Sequence, residues 1–289
     1  MTGSVENVTS AKHESRARGA AAYVSAGASV HFVDYMSKGD EAHLQGVAYI
    51  EHGAFVSMTR VLFEDARVDD GVIFASGVSE LTISDSVFRR NTAVSGSCVT
   101  AELVENGDVV KISDTLVEDN AGTPIVATIA AMSLKRVTLR RNGVSSVTRR
   151  RLSEGGASDG GISSGGAVLA ARGAVVDLED CLLEDNAALH GGAVAVMTAA
   201  NVTSFGGNRF RSNTADGGNG GAFLVLDGAA AVLSASDLVE DNFATLGGGA
   251  AYFDASRRPE RKRLSSQSPA KPCVLPRAWR GTSTRCKND

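Results

Sequence analysis

GGAVLAARGAVVDLEDCLLEDN (165–186), GGAVAVMTAANVTSFGGNRFRSN (191–213), GGAFLVLDGAAAVLSASDLVEDN (220–242) and GGGAAYFD (247–254) state one pattern three times and begin it a fourth. Each unit opens on paired glycines, an alanine and an apolar residue. Each complete unit closes on an apolar residue three places before an asparagine. A period of roughly 20 to 30 residues marks a solenoid, in which one unit cannot bury its own apolar face and must stack on the next.

The closing asparagine serves as a ruler along the rest of the chain. It falls at Asn91, Asn120, Asn142, Asn186, Asn213 and Asn242, with Phe88, Val117, Leu139, Leu183, Phe210 and Val239 three residues earlier. A further unit ends with Phe63 and has Ala66 in the asparagine place, and residues 20–38 read as a more degraded copy. Within a unit such as 71–91, GVIFAS, LTIS and SVFRR are short alternating segments separated by turn residues, which is the signal for strands. The fold expected is all-β: a right-handed, single-stranded parallel β-helix of about eight coils and a partial ninth, with three short sheets. At about 4.8 Å per coil, eight coils make a rod on the order of 40 Å long. The domain reading is a disordered or truncated N-terminal segment at 1–19, the β-helix at 20–254 with a flexible insertion at 143–164, and a basic disordered tail at 255–289.

Stacking turns a column of equivalent residues into a physical ladder. The asparagine column is expected to be structural, because Asn tolerates left-handed turns and its amides can hydrogen-bond along the axis. Asp85, Asp114 and Asp180, each six residues before the ruler, are read as turn residues of the same kind. Two residues before the ruler stand Glu64, Arg89, Glu118, Arg140, Glu184, Arg211 and Glu240. One residue before it stand Asp65, Arg90, Asp119, Arg141, Asp185, Ser212 and Asp241. Alternation of sign makes each neighbour a cross-strand ion pair and opposes a slip by one coil, which would set Glu on Glu. Four residues before the ruler, Leu62, Val87, Leu116, Thr138, Leu182, Arg209 and Leu238 should point outward, and the apolar members form a candidate contact stripe.

Composition restricts the function classes. The net charge of −4 hides a tail with ten Lys or Arg against Glu260 and Asp289, or +8, beside a body of about −12. An acidic body argues against nucleic acid as a partner, because phosphate contacts need clustered cations. No run of 18 apolar residues occurs, so no transmembrane segment is expected, and the opening MTGSVENVTSAKHESRARG lacks the apolar core of a signal peptide. Cys98, Cys181, Cys273 and Cys286 form neither a disulfide framework nor a metal-binding spacing. His13, His31, His43, His52 and His190 likewise lack ligand spacing, and DGGNGGAF (216–223) lacks the repeated aspartate of a calcium-binding nonapeptide. The expectation is therefore no cofactor and no metal. The triplet Arg149–Arg151 with Ser153, and the RKRLS ending at Ser265, are short enough to be accidental matches to basic-directed kinase or protease sites.

A carbohydrate lyase or hydrolase on such a scaffold would need converging carboxylates, or a calcium cluster with an arginine base. The nearest arrangement is Asp85, Asp114 and Arg136, in one column on successive coils, and a turn role explains it better. The catalytic, cofactor and metal residue sets are all read as empty.

The GGAV, GGAV and GGAF openings, together with FRRN (88–91) and FRSN (210–213), resemble the repeat of the polymorphic outer-membrane protein family, whose signature is GGA followed by Ile, Leu or Val, and FxxN. The likeness covers roughly residues 46–254. It implies a pectin-lyase-like right-handed β-helix and an extracellular or cell-surface passenger, active in adhesion and without enzyme activity. The reading is thus a non-catalytic surface repeat module binding a glycan or protein along the side of the rod. The alternatives are a carbohydrate-active enzyme with a degenerate site, or a fragment of a larger repeat protein. Open coil edges at the ends also point to end-to-end self-association.

Overall fold

The structure is a computed structural model, and it describes residues 2–16, 19–43, 45–93, 96–103, 109–143 and 164–254. The expected insertion and tail, with Arg149–Arg151, Ser153 and Ser265, lie almost wholly outside the described residues. Within them are thirty-four strands, β1 to β34 in chain order, and no helix. They form a right-handed parallel β-helix. Three sheets are nine strands deep, which we name A, B and D in the order the chain visits them. Every pairing between strands is parallel, and each joins one coil to the next, as in β13 (Glu80–Ser84) on β17 (Val109–Ser113).

Two features differ from the sequence expectation. Between sheets B and D the chain makes a fourth contact, sheet C, from two-residue strands in groups of four and three. Single bridges through Ala121 and Gly143 join these groups. Two residues are too few to show alternation, so the sequence reads this corner as a turn. The solenoid also begins inside the stretch 1–19 that the sequence reading left out. Strands β1 (Thr2–Glu6), β2 (Thr9–Ala11) and β3 (Glu14–Ser15) pair with the coil above them.

The interior is a stack of like residues. Phe63, Phe88, Val117, Leu139, Leu183 and Phe210 occupy one inward column in continuous register and are buried. The rings of Phe63 and Phe88 stack with centroids 5.3 Å apart. Each such side chain contributes roughly 1.5–3 kcal/mol of burial, but only once its neighbouring coil is present.

The paired glycines have a steric cause. Gly191 opens a turn with φ of 63°, and a Cβ on Gly192 would run into the carbonyl oxygen of Gly221 on the next coil. These glycine turns also close over the outward row of sheet D. A Cβ on Gly96 would lie 3.2 Å from Val126 Cγ2, and one on Gly191 would lie 3.1 Å from Leu224 Cβ. Val126, Leu169, Ala195 and Leu224 accordingly form a second buried cluster outside the solenoid interior. Strands of sheet D therefore read as continuous apolar runs, while sheets A and B alternate.

Candidate functional site

The asparagine column is a continuous amide ladder. The Nδ2 of Asn91 donates to Asn120 Oδ1 at 3.0 Å, Asn120 to Asn142 at 2.9 Å, Asn142 to Asn186 at 3.1 Å, Asn186 to Asn213 at 3.0 Å and Asn213 to Asn242 at 2.9 Å. Each backbone N–H of the series donates to the same acceptor oxygen one coil on. Asn91, Asn120, Asn142, Asn186 and Asn213 are buried, and Asn242, on the last coil, is half-buried. The left-handed conformation expected of these asparagines belongs instead to the residue before each: Asp65, Arg90, Asp119, Arg141, Asp185, Ser212 and Asp241 have φ between 53° and 57°. The Asn needs an ordinary backbone so that its amide points inward, and the residue before it makes the bend. A second, shorter polar ladder, which the ruler did not reveal, joins Cys181 N to Asn208 Oδ1 at 2.7 Å and Asn208 N to Asp237 Oδ1 at 2.9 Å.

The arginines of the charged columns pair in one direction, which corrects the expectation of a pair at every step, whereas Lys38, one coil before Glu64 in the same column, reaches forward to it at 3.5 Å. The arginines of one coil reach back to the acids of the coil before. Arg89 meets Glu64 at 3.0 Å, Arg90 meets Asp65 at 2.8 Å, Arg140 meets Glu118 at 2.8 Å, Arg141 meets Asp119 at 2.7 Å, and Arg211 meets Glu184. Among the described residues no ion pair runs forward from these arginines to the next acid. Glu64 is the most enclosed of the acids, at 6% side-chain exposure, and it also meets Arg90 and Lys38. Hydrogen bonding from Arg141 holds the Asp119 carboxyl below its usual range.

A second charged row follows the corner between sheets A and B. Arg60 grips Asp34 through two bonds of 2.6 and 2.8 Å, and Arg136 grips Asp114 through two of 2.6 Å. Asp34, Arg60, Asp85, Asp114, Arg136 and Asp180 all have φ between 50° and 54°, as turn residues. The column weighed for catalysis is thus a bend. Hydrogen bonds from Arg136 lower the Asp114 pKa, so this carboxylate stays ionised and engaged, a poor general acid or base. Among the described residues no group of three or more His, Cys, Asp or Glu could hold a metal ion.

Between the two charged rows runs the outward column of sheet B. Leu62, Val87, Leu116, Thr138 and Leu182 lie in unbroken register and are half-buried, while Arg209 and Leu238 beyond them are exposed. Met36 extends the row by one coil toward the N-terminus. The result is a narrow aliphatic strip edged by guanidinium and carboxylate groups, able to meet an apolar ridge and to hydrogen-bond what flanks it.

The N-terminal coils hold a polar cluster that the sequence did not reveal. Asp40 takes the ruler position but is a fully buried carboxylate. It accepts from Ser10 Oγ at 2.8 Å, Ser37 Oγ at 2.6 Å and His13 N at 2.7 Å. Serine, histidine and aspartate stand together here, yet not as a nucleophilic relay. Ser10 Oγ and Asp40 Oδ1 both face His13 Nδ1, at 2.8 and 3.3 Å, whereas a relay needs the two on opposite ring nitrogens. Asp40 is a rung of the ladder in another chemistry.

No family model matches the chain, and neither the curated proteins nor the solved structures contain a match to it.

Proposed function

We propose that this chain is a non-catalytic β-helical repeat module of the cell surface that binds a glycan or protein partner along sheet B. The observation carrying this reading is the aliphatic strip from Leu62 to Leu182, held in register between two rows of paired charge. The arginines of those rows stay partly exposed, so they face solvent beside the strip. The likeness of the GGA and FxxN repeats to polymorphic outer-membrane proteins supports an adhesive role outside the cell. The clamped state of Asp114 supports a non-catalytic one.

The test is binding of the full chain to arrayed glycans, surface proteins and intact cells, with Leu116→Asp and Leu182→Asp as variants. Loss of binding with an unchanged far-UV spectrum supports the reading, and binding equal to wild type in both variants refutes it. Acidic polysaccharides incubated with the chain should yield no unsaturated products or new reducing ends. Turnover abolished by Asp114→Asn would refute the non-catalytic assignment.

A further inference from the structure

The column one residue before the ruler loses its side chain on a single coil. From Lys12 to Asp241 its members among the described residues all have left-handed backbone, with φ between 53° and 67°, and Gly39 is the one glycine among them. The backbone does not require a glycine there, because Asp65 and Arg90 hold nearly the same conformation at φ of 57° and 55°. Nor does space require it. A Cβ on Gly39 would meet only Lys12 Cγ, at an ordinary 3.9 Å. What the glycine does is leave a rung out, and a hollow of about 380 Å³ opens around it on the flank of the rod, at the corner between sheets B and C.

The walls of this hollow break the rule of the neighbouring columns. One residue past the ruler, Glu14 and Glu41 are register partners on adjacent coils, a like-charge contact that costs stability. Arg67 follows them, and from Thr92 to Phe243 the same column carries no charge. Charge in this column is thus confined to the coils beside the gap. Neither carboxylate is clamped as Asp34 and Asp114 are. His43 Nε2 stands 3.5 Å from Glu14 and Arg67 Nη1 stands 3.5 Å from Glu41, while the two glutamates are 59% and 41% exposed. Lys12 is exposed and, among the described residues, has no ion-pair partner. A locally unfavourable pairing kept beside an unfilled hollow is the pattern of a binding site, where stability is given up for contact with a ligand.

The chemistry of the walls selects the ligand. An anionic sugar would meet Glu14 and Glu41, and an organic cation would meet Lys12 and Arg67. An uncharged polyol suits both, since its hydroxyls donate to the carboxylates and accept from the ammonium and guanidinium. Such charge-assisted hydrogen bonds are about twice as strong as neutral ones. We infer that the hollow at Gly39 is a subsite for one neutral sugar residue, held between Glu14 and Glu41 on one side and Lys12 and Arg67 on the other. The inference goes beyond the strip of sheet B and stands without it, because none of these residues belongs to that strip.

Titration of the isotope-labelled full chain with neutral monosaccharides, followed by NMR, tests it. Single sugars read the hollow alone, because Leu116 lies three coils on from Gly39, about 14 Å at about 4.8 Å per coil. Glucose, galactose and mannose are the probes, with glucuronate and glucosamine as the charged comparisons. At least one neutral sugar should shift the amides of Gly39, Glu41 and Arg67 more strongly than either charged one. Gly39→Arg, the residue found at Arg90 and Arg141 in this column, should fill the hollow and abolish the shifts with the far-UV spectrum retained. Glu41→Gln should weaken binding about tenfold without lowering the unfolding temperature, since it also removes the repulsion from Glu14. No response to any neutral sugar, a preference for glucuronate or glucosamine, wild-type binding by Gly39→Arg, or a Glu41→Gln chain that loses binding only in step with stability would overturn the inference.

Discussion

Replacing Asn120 by alanine should remove the central rung of the amide ladder. The side chain makes four bonds: Nδ2 donates to Asn142 Oδ1 at 2.9 Å and Phe88 O at 3.1 Å, and Oδ1 accepts from Asn91 N at 2.9 Å and Asn91 Nδ2 at 3.0 Å. At a net value of about 1 kcal/mol per bond the loss is about 4 kcal/mol, and the unpaired Asn91 N–H keeps it from being smaller. Water cannot replace the amide, because Asn120 is 2% exposed. Asn242→Ala is the internal control. It removes as many bonds, accepted at 2.9 Å each from Asn213 N and Nδ2 and donated at 2.8 Å each to Phe210 O and Glu240 O, but at a half-buried rung where water reaches. Its cost should be about 1 kcal/mol. A solenoid opens coil by coil, so the assay is native-state hydrogen exchange at the Asn91 and Asn120 amides, supported by urea unfolding. If Asn120→Ala costs under 1 kcal/mol, or costs no more than Asn242→Ala, the ladder is not what holds adjacent coils.

Further outcomes concern other parts of the rod. Gly192→Ala should prevent assembly of the coils around it, because its Cβ meets the Gly221 carbonyl. Gly173→Ala, where nothing lies within 4 Å but φ is 79°, should cost about 1 kcal/mol, and thermal unfolding separates the two. Burial, with Glu102 and Asp69 nearby, pushes the Asp70 carboxyl up to about 6. The folded state then holds the proton more tightly than the unfolded chain, so stability falls as pH rises from about 4 through about 6. Asp70→Asn should gain about 1 kcal/mol at pH 7, after discounting for solvent screening at this half-buried site, and nothing at pH 4. Asp40→Ala strands the buried hydroxyls of Ser10 and Ser37, and should speed hydrogen exchange in β2 and in β6 (Met36–Lys38) well before the C-terminal coils respond.

Legibility in the sequence followed from how far a residue's role depends on its own column. Phe63, Phe88 and Phe210 repeat one chemistry in one column, so period alone placed them. The glycine pairs and the Glu and Arg alternation were visible for the same reason. Where a column changes chemistry the reading failed. The inward column holds Ser10 and Ser37 at its start, and the ruler column holds His13 and Asp40, so the first coil carries neither apolar periodicity nor asparagine. The direction in which Arg90 and Arg141 lean, and the transfer of the left-handed bend from Asn91 to Arg90, depend on corner geometry that spacing does not encode. The candidate strip was legible as alternation, but its setting between two charged rows required the corner at Asp114 and Arg136 to be placed beside it.

The most direct measurement compares one substitution on each accessible face for binding to the partner found on the arrays or cells. Leu116→Asp alters sheet B and Ser133→Asp alters sheet A, in strands that lie on adjacent coils. With both variants folded, Leu116→Asp should lower affinity at least tenfold and Ser133→Asp should leave it within twofold, since removing a buried aliphatic contact costs about 1.5 kcal/mol or more. The opposite ranking would contradict the assignment of sheet B as the binding face.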